Sequence, residues 1–226
     1  MSGLRPKLLS YHRNQFRLAP TARLQVDQRI HLSTSPTTWG SSYYIEMKGN
    51  SRLHFTGKAT FRGEGRIFVD ENAKLTFGNH CVFRERLWIS AHQEIIIGDG
   101  SGTGQDCMII DSDVHPIICD GKELPRTAPV HIGNHVWIGA HCIILKGVHI
   151  GDETVIGAGS LVTQDIPDHV IAVGRPARLI RRIDRHECLN YPPRNSTHQA
   201  DFFRQEIPNR QIQEDFSSQA DPGLRA

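Results

Sequence analysis

The sequence predicts an all-β solenoid, a coil of short strands wound around a narrow packed interior. From residue 130 onward, Ile132, Ile138, Ile144, Ile150, Ile156 and Val162 recur at intervals of six. Glycine follows four of them, at Gly133, Gly139, Gly151 and Gly157. Two residues before each stand Val130, Val136, Cys142, Val148, Thr154 and Ser160. In an extended chain residues two apart share a face, so each small residue and its aliphatic partner point inward and the residue between them points out. A helix is excluded: at about 100° per residue, six residues rotate through roughly 600°, and these side chains would point in three directions. The glycines suit a chain that bends sharply or packs closely after each short strand.

Upstream the period persists in a degraded form. Phe55, Phe61, Ile67 and Ala73 make one phase, Phe77, Phe83, Ile89 and Ile95 a second, and Ile97, Thr103 and Ile109 a third. Each change of phase implies residues inserted or deleted at a corner. One turn of such a coil cannot bury its apolar face alone, so stability must come from stacking turns about 4.8 Å apart. Residues 1–38 show no clear phase and are assigned as an N-terminal cap region. Residues 39–182 form the coil domain, and residues 183–226, rich in Arg, Gln, Asn, Asp and Pro, read as a polar tail or partner-binding arm. Within the coil, Pro116 to Pro129 is an irregular excursion, since two prolines and Asp120-Gly121 cannot continue the repeat.

Composition narrows the function. The 226 residues suit one domain or one elongated solenoid. Lys plus Arg minus Asp plus Glu is 26 − 24 = +2, too small a net charge to recruit nucleic acid or an anionic membrane. Apolar runs such as Cys142 to Leu145 fall far below the ~20 residues that span a bilayer. Cys81, Cys107, Cys119, Cys142 and Cys188 are odd in number and contain no CxxC pair, which argues against a disulfide framework or a zinc ribbon. The expected location is cytoplasmic.

Four segments carry a family resemblance: Asp111-Ser-Asp-Val-His-Pro116, Ile132-Gly-Asn-His-Val-Trp-Ile-Gly-Ala140, Ile150-Gly-Asp-Glu-Thr-Val-Ile-Gly-Ala-Gly-Ser160 and Ala172-Val-Gly-Arg-Pro-Ala-Arg178. In content and order, over roughly residues 45 to 182, the chain resembles the hexapeptide-repeat acetyltransferases that use acetyl-CoA. The resemblance implies a left-handed parallel β-helix, a hand that spacing alone does not give. It also implies a homotrimer with sites between adjacent coils. The long degenerate N-terminal half and the DxDxH signature look most similar to sugar and capsular-polysaccharide O-acetyltransferases, including those acting on sialic-acid polymers.

His115 stands where the coil breaks into a loop, the usual place for chemistry on a rigid scaffold. If the preceding chain is extended, Asp111, Asp113 and His115 share a face and a carboxylate would fix the imidazole tautomer. A surface histidine beside a turn is the competing reading from spacing. The resemblance implies that His115 is the general base that deprotonates an acceptor hydroxyl as it attacks the thioester, by direct transfer. It further suggests an oxyanion donor among the amides near Gly139 and Ala140.

Trp137, between inward Val136 and Ile138, must face outward, toward a protomer interface or a cofactor cleft. For coenzyme A, the family comparison suggests small residues at Ala140 and Ala158, Thr163 at a matching position, and Arg178 and Arg181 near the nucleotide. Gln164 replaces the lysine that many relatives carry there. Arg84 and His92 fall at acceptor-contacting positions, with Asp111 beside them, and an Arg with a His suits an acidic sugar; solvated polar side chains are the alternative. Asp99 to Gly104 is glycine-rich but lacks the lysine of a phosphate-binding loop, so it reads as a coil corner. No metal is expected: a γ-type carbonic anhydrase would need three zinc-binding histidines, and His131, His135 and His141 fall where the acetyltransferase motif fits instead. An N-acetyltransferase acting on an amino-sugar nucleotide and a non-catalytic scaffold are the remaining alternatives.

Overall fold

The inward residues predicted from the period all lie in one continuous core. From Phe55 through Val162, every member of the six-residue phases is buried, as are Val130, Val136, Cys142, Val148, Thr154 and Ser160. The computed structural model describes residues 8–10, 14–33 and 42–183, all within one compact unit spanning 1–188. A second unit, 189–226, lies outside the described residues, so the predicted polar tail does too, apart from its first residue.

The chain visits three sheets in fixed rotation. Among the described residues, the first face holds nine strands: Leu8–Ser10, Ile30–Ser33, Ala59–Arg62, Cys81–Phe83, Gly102–Thr103, Trp137–Ile138, Val155–Ile156, Val170–Gly174 and Ala177–Arg182. The second face stacks Gln15–Leu18, Tyr43–Met47, Gly65–Val69, Leu87–Ala91, Met108–Ile110, Ile143–Ile144 and Leu161–Val162. The third stacks Arg23–Val26, Arg52–Phe55, Lys74–Phe77, Glu94–Ile97, Val130–Ile132 and His149–Ile150. Every neighbouring pair on these faces is parallel except the last pair on the first face, where Ala177–Arg182 turns back antiparallel along Val170–Gly174. The Arg175–Pro176 peptide between those two strands is cis. Strands within 8–33 already occupy the three faces in the same order, so the repeat runs into the stretch assigned as a cap region. Among the described residues there is no helix long and apolar enough to cross a membrane.

The lower circuits pack on aromatic rings. Phe61 stacks on Phe83 at 4.8 Å and Phe55 on Phe77 at 4.8 Å, and edge contacts between the two stacks interlock them. The upper circuits are filled by isoleucine and valine, so the interior changes from rings to branched aliphatics along its length.

The glycines after the isoleucines have a physical reason at the corner between third and first faces. There the next residue is Asn or Asp, and its Oδ1 accepts the amide of the equivalent residue one circuit below. Asn79 accepts from Lys58 at 2.8 Å, Asp99 from Asn79 at 2.7 Å, Asn134 from Asp99 at 2.9 Å, Asp152 from Asn134 at 2.6 Å and Asp168 from Asp152 at 2.8 Å. A Cβ at Gly133 would lie 2.3 Å from Asp152 Oδ1, and one at Gly151 2.0 Å from Asp168 Oδ1. Glycine is therefore required by the side chain of the circuit above, as well as by the bend.

The excursion after residue 114 is less irregular than the sequence suggested. Ile118–Cys119 and Lys122–Glu123 pair as a small antiparallel hairpin. Asp120 and Gly121, with φ of 50° and 74°, make its turn, and this is the left-handed pairing that a two-residue hairpin needs.

Candidate active site

The residues singled out in the sequence separate into two groups on different edges of the coil. Trp137 lies on the outer surface of the first face, in one row with Val155, Ile171 and Arg181. At about 4.8 Å per strand, the row carries Trp137 and Arg181 some ~14 Å apart. Arg178, on the same last strand as Arg181, pairs with Val173 of the preceding strand, and its guanidinium donates to the Ala177 carbonyl. Gly139, Ala140 and Ala158 line the adjoining corner, between first and second faces. The glycines Gly104, Gly139 and Gly157 follow the strand at the same level of successive circuits there, and a Cβ on Gly139 would lie 2.5 Å from the Ala158 amide. Arg84, partly buried, follows Cys81–Phe83 on that corner, two circuits below Gly139.

Thr163 does not join this group. It follows Leu161–Val162 at the corner between second and third faces, level with Leu145, whereas Ala140 and Ala158 precede the second face. The coil's circuit is near eighteen residues there, and Thr163 is only five beyond Ala158, so it stands one face further round.

His92, Asp111, Asp113, His115 and Thr163 gather at the corner between second and third faces. Asp111 is fully buried, and its carboxylate accepts the amides of His92 at 2.7 Å, Gln93 at 2.8 Å and Glu94 at 2.8 Å. It locks the circuit below the loop and does not face a groove. The chain from Asp111 to His115 is not extended. Val114 has φ of 65°, its amide bonds Ser112 Oγ, and the His115 amide turns back to the Asp113 carbonyl at 2.7 Å. The three side chains therefore do not share a face. Asp113 pairs with Lys146 Nζ at 2.5 Å, and Lys146 also donates to the Pro125 carbonyl at the far side of the loop. Lys146 thus ties both ends of the excursion to the coil, a role that sequence spacing could not show. His115 stands exposed on the loop, beside exposed Val114, Ile117, Ile118 and Leu124.

His92 is held on both ring nitrogens. Asp70 Oδ2 lies 2.9 Å from Nδ1 and Ser90 Oγ 3.0 Å from Nε2, with Phe68 against the ring at 5.5 Å. On the corner between first and second faces, Arg86 and Asp106 form a two-bond ion pair at 2.5 Å, which holds the Asp106 carboxyl below the usual carboxylate range. The histidines weighed for zinc do not converge: His131 is on the third face, His135 on the corner after it and His141 on the next corner. Among the described residues, no group of three or more His, Cys, Asp or Glu is arranged to hold a metal ion.

Comparison with known proteins agrees with this architecture. Residues 129–164 match the bacterial transferase hexapeptide (six repeats) family. The galactoside O-acetyltransferase of Escherichia coli (strain K12) is 59% identical over 61 residues, 26% of this chain and 30% of the relative. That of Lactococcus lactis subsp. lactis (strain IL1403) is 37% identical over 117 residues, 51% of this chain and 56% of the relative. The matched segment thus spans about a third to about half the length of these curated relatives. The crystal structure of the polySia-specific acetyltransferase NeuO superposes with a TM-score of 0.53 at 21% identity, covering 83% of this chain and 99% of that one. The polysialic acid O-acetyltransferase OatWY superposes with a TM-score of 0.50 at 18% identity, covering 86% and 97%. These two structures share the fold.

Proposed function

We propose that the chain is a hexapeptide-repeat transferase and, within that family, an acetyl-CoA-dependent O-acetyltransferase acting on a sugar hydroxyl. The acceptor we assign is a surface or capsular polysaccharide, including those that contain sialic acid. The left-handed winding of the coil, the division into 1–38, 39–182 and 183–226, and a cytoplasmic homotrimer belong to the same reading.

The observation that carries it is the separation of two chemically complementary edges. Trp137 and Arg181 lie in one row of the first face, Arg178 on its last strand, and Ala140 and Ala158 on its adjoining corner, a strip of one side of the coil. An elongated cofactor with an anionic end suits such a strip: small residues leave room for the pantetheine arm and guanidinium groups meet the phosphates. His115 lies on another corner of the same chain, on a loop with an apolar, exposed tip. A neighbouring copy that docks this loop against the strip would bring base and thioester together, and a three-fold ring makes three such sites.

In that site His115 accepts the proton of the acceptor hydroxyl while its oxygen attacks the thioester carbonyl, and the coenzyme A thiolate leaves. Asp113 and Lys146 fix the loop from which His115 reaches the hydroxyl. The Gly139 amide already donates to the Ile156 carbonyl at 2.7 Å. The developing oxyanion then falls to the Ala140 amide. Thr163 and His92 approach from the loop side and Arg84 from the cofactor side. Asp111 supports this arrangement by holding the backbone at His92.

The test measures coenzyme A thiol release from acetyl-CoA with neutral, amino and acidic oligosaccharides, in wild type and His115→Ala. Acceptor-dependent release that falls at least roughly a hundredfold in the variant supports the reading. Equal release in both proteins removes His115 from the mechanism. No release with any acceptor, together with no coenzyme A binding by calorimetry, replaces the enzyme by a scaffold.

A further inference from the structure

We infer that Asp70, His92 and Ser90 form a hydrolytic triad in which Ser90 is a nucleophile toward small acyl esters. Ser90 projects outward from Leu87–Ala91 on the second face, and His92 follows two residues later at its corner. His92 Nδ1 is 2.9 Å from Asp70 Oδ2, one circuit below, and Nε2 is 3.0 Å from Ser90 Oγ. A carboxylate can only accept, so Nδ1 carries the hydrogen; in the neutral ring the Nε2 lone pair then faces the serine hydroxyl, which donates to it. Carboxylate, imidazole and hydroxyl stand in the order and tautomer that activates a serine.

The surroundings favour chemistry over a solvated surface cluster. The His92 side chain is only 15% exposed, packs against Phe68 and has its backbone amide fixed by buried Asp111. Such a ring does not rotate freely between partners. Ser90 is 7% exposed, flanked across the circuits by Phe68 and Ile110 and along its own strand by Trp88, which is 45% exposed. An apolar wall beside an activated hydroxyl suits the short acyl chain of a neutral ester. His92 thereby takes a proton-transfer role beyond contact with an acceptor. The triad uses neither His115 nor the strip of the first face and shares only His92 with the acetyl transfer proposed above, so an adduct on Ser90 reports on the triad whatever the outcome at His115.

The step balances with water as the only co-reactant. Ser90 Oγ bonds to the acyl carbon as the bond from that carbon to the leaving oxygen breaks. The hydroxyl proton passes to His92 Nε2 and then to the departing alkoxide. Water, deprotonated by His92, attacks the acyl-serine; the carboxylic acid leaves and Ser90 recovers its proton.

The experiment treats the purified full chain with a fluorophosphonate probe, whose fluoride is displaced by an activated serine, and locates the adduct by proteolysis and mass spectrometry. We expect an adduct on Ser90, absent in Ser90→Ala and formed at least roughly a hundredfold more slowly in His92→Gln. Asp70→Asn, at a side chain 40% exposed, supplies a comparison less prone to misfold, and thermal unfolding verifies each variant. A folded wild-type protein with no adduct on Ser90 overturns the triad. So does labelling at the same rate in folded Asp70→Asn and His92→Gln.

Discussion

Asp113 and Lys146 are bound as an ion pair at 2.5 Å, although they stand on opposite sides of the hairpin excursion. The carboxylate expected to orient His115 instead fastens the base of the loop that carries it. Two partly buried charges, with 24% and 26% of their side chains exposed, are better shielded than a surface pair, and Lys146 gains a second acceptor in the Pro125 carbonyl.

Lys146→Met should therefore lower acetyl transfer by about ten- to a hundredfold through misplacement of His115, while coenzyme A affinity stays near wild type. Lys146→Arg should recover part of the rate. Steady-state kinetics with calorimetry check both. A loss of affinity with unchanged turnover would place Lys146 in the cofactor site.

Gly133→Ala should destabilise the coil by about 1–3 kcal/mol through overpacking, because its Cβ would enter the Asp152 side chain at 2.3 Å. Gly49→Ala is the control: its Cβ meets Thr21 Oγ1 at 3.4 Å, and its effect should be small. Thermal melts decide, and equal shifts for the two variants would contradict the ladder.

The hydrogen bonds from Arg86 hold the Asp106 carboxyl below its ordinary range. A group whose folded value is depressed stabilises the fold above its unfolded value and loses that contribution as pH falls through the folded value. Asp106→Asn should then flatten the acid side of the curve of Tm against pH and leave the alkaline side unchanged. Melts from neutral pH down to about pH 3 span the unfolded carboxylate range.

Burial pushes the Cys81 thiol up to about 12, and the reactive species is the thiolate. Iodoacetamide under native conditions should modify exposed Cys119 and spare Cys81, Cys107 and Cys142 until the chain is unfolded. Peptide mapping reads the order directly. Early modification of Cys81 would show that the lower circuits open.

The core was legible in the sequence because a three-faced coil returns an inward side chain at each sixth residue. Ile132 to Val162 therefore announced their burial, and the shifted phases at Phe55, Phe77 and Ile97 did so too. The partners across circuits were not legible. Asn79, Asp99, Asn134, Asp152 and Asp168 stand 20, 35, 18 and 16 residues apart. The excursion and the variable corners erase any fixed interval between them. The same holds for the contact of Asp70 with His92, 22 residues apart. The corner that Thr163 occupies, one face on from Ala158, was not legible either, because short-range likeness says nothing about which face a residue follows. Val114 turned the DxDxH segment away from the straight strand that its alternation suggested.

The antiparallel return of Ala177–Arg182 along Val170–Gly174 has a consequence for life at high concentration. A stack of parallel strands ends in a row of unpaired amides and carbonyls that can seed the next molecule, and repetition of that event makes a fibre. On the first face, the terminal strand runs against the direction of the stack and carries Arg178, Arg181 and Arg182. A second copy stacked on this face would meet three arginines, so like charge, and not a missing hydrogen-bond partner, works here against the end-to-end polymerisation that a parallel stack invites.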